Sequence, residues 1–247
     1  MELTVALLAL GMLFAAFAYA SVGHGGASAY IAALALAGIA PAEMRPIALV
    51  LNILVSAIAT YKFQRAGHFR WRLFWPFAVV SIPLAFIGGA ITLPGNAYKV
   101  LVGVVLVYAA WQLWRSARAG EEMREVREPP VARAMAIGAA LGLLAGLTGV
   151  GGGIFLSPVL LMLGWAGTKQ TSAVAAPFIL VNSIAGLAAG FTVRSAALPP
   201  YIWILGAAVI VGGWIGAEYG SRRFANPLVR RILAVVLALA GAKMVMV

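Results

Sequence analysis

Two stretches of this chain, Leu73 to Leu93 and Thr171 to Val193, contain no charged side chain. A helix needs about 20 apolar residues to cross the hydrocarbon core of a bilayer, so each stretch is long enough to span it. Strands are the poorer reading, because the alternation of polar and apolar positions that a membrane barrel requires is missing. Composition agrees: 63% of the 247 residues are hydrophobic and 10% are charged. Soluble domains carry about 25% charged residues, since their surface must stay wet. The expected fold class is an all-α polytopic membrane protein.

Several functions are excluded at this level. The chain has no cysteine, which removes disulfides, thiolate chemistry and cysteine-bound metals. Its two histidines, His24 and His68, cannot form a metal site unaided. The excess of 18 Lys and Arg over 7 Asp and Glu could suggest nucleic acid in a soluble protein. In a membrane protein it reflects loop charges that fix orientation, so no nucleic-acid partner is expected. Ala18-Tyr19-Ala20 resembles a signal-peptide cleavage site, but no basic segment precedes it. The first apolar block is therefore expected to remain as a membrane helix.

The apolar blocks recur in order. They lie near Leu3–Ala20, Ala27–Ile39, Pro46–Tyr61, Leu73–Leu93 and Ala97–Trp114, then near Ala134–Leu147, Ile154–Trp165, Thr171–Val193, Pro200–Ala217 and Leu228–Val247. Between the two series, Arg115 to Arg133 is rich in charge and carries Pro129-Pro130, which marks a solvated linker. Gly23-His24-Gly25-Gly26-Ala27 is answered by Gly149-Val150-Gly151-Gly152-Gly153, and Leu51-Asn52-Ile53 by Val181-Asn182-Ser183. Shared order, spacing and glycine placement point to an internal duplication. The expected organisation is a first membrane repeat over 1–114, a cytoplasmic linker over 115–133 and a second membrane repeat over 134–247, together one integrated transmembrane domain.

The second block of each half is only about a dozen residues, or roughly 18–20 Å of helix, short of a full crossing. Each half then reads as a Gly-broken hairpin, re-entrant or short-helical, followed by three transmembrane helices. With that topology Arg45, Lys99, Arg194 and Lys243 fall on one side and the other 14 Lys and Arg on the opposite side. The richer side is cytoplasmic by the positive-inside tendency. Both termini are then expected outside the cytoplasm, and the second half is inverted relative to the first.

The glycine clusters are the sharpest candidates for a site. Gly23, Gly25, Gly26, Gly149, Gly151, Gly152 and Gly153 would break helices, and the breaks would present helix N-termini near Ala27 and Ile154 toward the bilayer midplane. Interrupted backbone is tolerated in a membrane only against protein or a water-lined cavity. A helix N-terminus offers free N–H donors and about half a positive charge, which attract anions. Two readings stay open: a ligand site, or glycines that only let helices pack closely.

Asn52 and Asn182 hold matching places in apolar helices, either bonding between helices or lining a substrate path, with Ser56 and Ser183 nearby. Ser21, Ser28, Thr148 and Ser157 flank the breaks and could supply hydroxyls. His24 could bind an anion or a proton, or be a neutral hydrogen-bonded core histidine; its counterpart is Val150, so the duplication does not require it. No carboxylate lies near a helix centre, no nucleotide-binding motif is present, and no acid–base or nucleophile pair suggests an enzyme. No metal or other cofactor is called for. The polar set that is left is neutral to positive and suits a small anion.

Leu147-Thr148-Gly149-Val150-Gly151-Gly152-Gly153 with Ser157-Pro158 resembles the glycine-rich signature of the sulfite exporter TauE/SafE family, also called the toluene sulfonate uptake permease family. Ser21 to Ser28 resembles a weaker copy, and the likeness covers nearly the whole chain. The resemblance implies a permease or exporter in the bacterial inner membrane for small sulfur-containing or organic anions, such as sulfite, sulfoacetate or other sulfonates. The substrate-binding set is expected among Ser21, Gly23, His24, Gly25, Gly26, Ala27, Ser28, Asn52, Ser56, Thr148, Gly149, Gly151, Gly152, Gly153, Ser157, Asn182 and Ser183, within the lipid bilayer. A passive anion channel and a membrane-embedded assembly partner are the alternative readings.

Overall fold

A computed structural model of the chain describes residues 2–116, 127–194, 198–222 and 227–246. Among the described residues there are ten helices and no strand. They are α1 (Glu2–Ala20), α2 (Ala27–Leu36), α3 (Pro41–Arg65), α4 (Trp71–Ala90) and α5 (Gly95–Ser116), then α6 (Val131–Thr148), α7 (Gly153–Met162), α8 (Thr168–Arg194), α9 (Ile202–Arg222) and α10 (Pro227–Met246). Six of them, α1, α3, α4, α6, α8 and α9, are long and apolar enough to cross a membrane. The core of the expected linker, 117–126, lies outside the described residues.

The apolar blocks and the helices coincide to within a few residues, and the departures have local causes. Helix α3 begins at Pro41 instead of near Pro46. Ala40 is extended and Pro41 takes the first helical position, where a missing N–H leaves no bond unmade. Pro46 is accommodated one turn further in. Helix α4 likewise runs through Pro76 and Pro83. In a membrane bundle, neighbouring groups and small adjustments offset the lost backbone bonds.

Helices α2 and α7 have ten residues each, so each is about 15 Å long and reaches only part way across a hydrocarbon core of roughly 30 Å. Both start from a glycine with left-handed backbone, Gly26 at φ 102° and Gly152 at φ 79°. A side chain there would be strained, so glycine is the residue that lets the chain turn abruptly into these helices.

The helices pack in a repeating set of pairs. Helix α4 lies along α6 and α1 along α9; α4 and α9 also contact α8 and α3 respectively. Helices α3 and α8 cross each other, as do α5 and α10. Exchanging each helix for the one five places on returns these same pairs. Two glycine rows make the tightest contacts. Gly138, Gly142 and Gly146 of α6 lie against the backbone of Phe77, Ser81 and Ala85 of α4. Gly212, Gly216 and Gly220 of α9 lie against the backbone of Leu13, Phe17 and Ser21. Four-residue spacing puts each row on one helix face, and without side chains the backbones can touch.

Ion pairing fixes the direction of the central helices. Lys62, near the end of α3, pairs with Glu218 of α9 at 2.6 Å and sits 3.9 Å over the Trp214 ring. Lys169, at the start of α8, donates to the Gly220 carbonyl at 2.8 Å. The end of α3 and the start of α8 therefore share one end of the bundle, and the two helices run antiparallel.

Candidate functional site

The two glycine breaks meet at Asn52. This side chain is 0% exposed, and its position near the middle of α3 sets the depth of the site. Its Oδ1 accepts the backbone N–H of Ala27, the first residue of α2, at 3.2 Å. Its Nδ2 donates to Ser183 Oγ of α8 at 2.8 Å. One amide thus satisfies an orphan donor of the broken helix and ties the first half of the chain to the second.

Both breaks press against that amide. A Cβ placed on Gly25 would overlap the Asn52 side chain. A Cβ on Gly151 would overlap Asn52 Nδ2 and come within 2.8 Å of Ser183 Oγ. These two glycines are required by close approach, whatever their backbone angles. Gly25 of the first break and Gly151 of the second thus lie against one side chain that belongs to neither break.

Hydroxyls hold the loops around this centre. Tyr30 donates to the Gly25 carbonyl at 2.8 Å, and Tyr19 and Ser28 share a hydrogen bond of 2.8 Å. Ser21 returns its hydroxyl to the Ala18 carbonyl at 2.7 Å. On the second break, Thr148 donates to Leu144 at 2.7 Å and accepts the Val150 N–H at 3.3 Å. Tyr98 donates to the Thr148 carbonyl at 3.2 Å.

His24 crosses between the halves. Its Nδ1 lies 2.9 Å from the Val22 carbonyl and its Nε2 3.0 Å from Ser157 Oγ on α7. A carbonyl can only accept, so in the neutral ring Nδ1 carries the proton and Nε2 accepts from Ser157. The Tyr19 ring meets it edge-on at 6.4 Å.

Other expected residues stand apart from the meeting point. Ser56 is turned to the Ile53 carbonyl of its own helix at 3.4 Å. Asn182, 1% exposed, donates to Phe178 at 2.8 Å, and its Oδ1 is buried without a partner among the described residues. It does not reproduce the cap that Asn52 gives to α2. Gly23 packs on Ser172, Gly152 on the Phe178 ring, Gly153 on Ile179 and Gly149 on the Arg45 stem.

Arg45 enters the sequence argument only as a loop charge, yet it is 3% exposed and central to the second break. It donates to the carbonyls of Gly88 at 2.7 Å and Ile91 at 3.3 Å, and also to Gly146. Gly88 and Gly146 lie in the last turns of α4 and α6, where carbonyls have no partner within their own helices, and Ile91 is the C-cap of α4. A single arginine beside an apolar block carries a signal that was available: buried intramembrane cations mark function or a specific partner.

Membrane-crossing helices, paired with two half-length helices that start from glycine breaks inside the bundle, define a multi-pass membrane transporter. The chain belongs to a particular family: the family described as sulfite exporter TauE/SafE matches residues 7–244. The chain is also 41% identical over 241 residues to the probable membrane transporter protein y4hK of Sinorhizobium fredii, covering 96% of each chain. It is 26% identical over 205 residues to the probable membrane transporter protein ORF9 of a Sinorhizobium species, covering 82% of this chain and 76% of that one. No solved structure matches the chain.

Proposed function

We propose that the protein carries a small sulfur-containing or organic anion, such as sulfite or a sulfonate, at a site between its two glycine breaks. The observation that carries this reading is the convergence of Gly25, Gly151 and the α2 N-terminus on the buried Asn52 amide. The N–H groups in the first turns of α2 and α7 other than that of Ala27, with the Ser183 hydroxyl and the second Asn52 Nδ2 proton, form a neutral donor set. Such a set replaces the hydration of an oxyanion without a buried counter-charge. The family's description supports sulfite as the first anion to try.

The protein works, in this reading, as two inverted repeats over 1–114 and 134–247, joined by a cytoplasmic linker over 115–133, in the bacterial inner membrane. The 14-to-4 distribution of Lys and Arg supports both termini lying outside the cytoplasm. The recurrence of the same helix pairs after a shift of five supports the duplication. Alternating access follows from rocking one repeat against the other around the fixed site. Burial of both breaks favours a carrier over a continuously open channel.

Reconstitution into proteoliposomes tests the reading. Labelled sulfite trapped inside should exchange with external sulfite in a saturable way and be competed by sulfonates. Folded protein that exchanges no small anion would end the proposal.

A further inference from the structure

A broken helix carries an electrostatic conflict. The chain that enters the break ends in a helix C-terminus, worth about minus half a charge, while the chain that leaves begins with about plus half a charge. At close range the two fields oppose, and an anion gains little from the second. In this protein the conflict is doubled. Helix α6 runs into the second break with the end of α4 beside it, where Gly146 packs on the Ala85 carbonyl and the Gly89 backbone. Helix α1 runs into the first break with the end of α9 beside it, where Gly220 packs on the Ser21 backbone. Each break is therefore flanked by two negative helix ends.

A cation stands beside each break: Arg45 spans both ends of its pair, and Lys169 holds the α9 end of the other. Arg45 donates to Gly88 of α4, to Ile91 just past its end and to Gly146 of α6, and its stem lies against Gly149 at the break itself. Lys169 donates to the carbonyls of Gly220 at 2.8 Å and Ser221 at 3.4 Å in α9. Arg45 sits in the second turn of α3 and Lys169 in the first turn of α8, at opposite ends of the antiparallel pair. At the second break, where Arg45 reaches both ends, two C-termini sum to about one negative charge and one cation offsets it; at the first, Lys169 adds to the Lys62–Glu218–Arg222 cluster in the last turns of α9. What is left uncancelled at each break is the positive N-terminus of α2 or α7.

Resting on the anion-carrier reading above, we propose that Arg45 and Lys169 are the residues that set the charge preference of the site. They do so without touching substrate, by neutralising the helix C-termini that flank the two breaks. Removing either one exposes a negative field to the anion, and the penalty scales with the anion's charge. A purely structural role has no such dependence.

The test uses Arg45→Gln and Arg45→Lys in proteoliposomes with two probes. Methanesulfonate is a monoanion; sulfite in mildly alkaline buffer is chiefly a dianion. Arg45→Gln should raise KM about threefold for methanesulfonate and about tenfold for sulfite, at unchanged maximal exchange rate, with Arg45→Lys close to wild type. Lys169→Gln and Lys169→Arg should repeat the pattern, and carry the comparison if Arg45→Gln does not assemble. Equal KM changes for the two probes, or failure of the charge-keeping variants to restore them, would overturn this inference alone. Wild-type protein that exchanges neither probe overturns the anion reading and this inference together.

Discussion

Asn52 of α3 donates to Ser183 of α8 at 2.8 Å while accepting from the first residue of α2. That pair of bonds spans the two halves of the chain at the depth where both glycine breaks arrive. Replacing Asn52 by Ala strands the Ala27 N–H and Ser183 together, and thermal unfolding in detergent should show a loss of about 1–3 kcal/mol. Sulfite exchange should vanish. Ser183→Ala leaves the α2 cap in place and should lose about 0.6 kcal/mol, the usual value for a hydrogen bond between membrane helices. Equal losses for the two variants would mean that the cap on α2 contributes nothing.

Close approach at the breaks is testable with a single methyl group. Gly25→Ala and Gly151→Ala should eliminate exchange, because each Cβ would overlap the Asn52 amide. Gly11→Ala on α1, where nothing lies within 4 Å, should exchange like wild type. Tracer flux normalised to monodisperse protein makes the comparison, and an active Gly151→Ala would contradict the described geometry.

The glycine rows predict a different phenotype. Gly142→Ala and Gly216→Ala direct a methyl group at the backbones of Ser81 and Phe17, and overpacking of this kind costs about 1–3 kcal/mol. Melting should fall in both variants while the KM of the protein that remains folded stays near wild type. Gly186→Ala, with its nearest neighbour at 3.7 Å, should melt normally.

The absence of cysteine gives a clean background for topology. Arg65→Cys, at the end of α3, should react with a membrane-impermeant maleimide only from the cytoplasmic face, and Arg194→Cys, at the matching end of α8, only from the outside. Labelling of both from one face would refute the inverted arrangement.

Much of this architecture is readable from residue order. Charge-free runs such as Leu73 to Leu93 have one stable form in a bilayer, and the starts of α2 and α7 follow from glycines that break the helical pattern. Asn52 is legible as a polar group that must find a partner, but not as the point where both breaks meet. Which partner it finds depends on the crossing of α3 and α8, a packing outcome that no local pattern encodes. Asn182, its match in sequence, caps nothing among the described residues. The rows at Gly138, Gly142 and Gly146 and at Gly212, Gly216 and Gly220 were visible as four-residue repeats. Arg45 reads as a loop charge because the turn from Pro41 to Pro46 looks like a loop until Pro41 is taken as a helix start.

The central claim is that one anion site lies between the glycine breaks beside Asn52. Crystals of exchange-competent protein soaked in selenite, an analogue of sulfite with an anomalous scatterer, test it most directly. The chain has no thiol to react with the probe. The account predicts a selenium peak between Gly25 and Gly151, within hydrogen-bonding reach of the Asn52 or Ser183 side chain and lost in Asn52→Ala. A peak elsewhere in protein that still exchanges selenite, unchanged by Asn52→Ala, would contradict it.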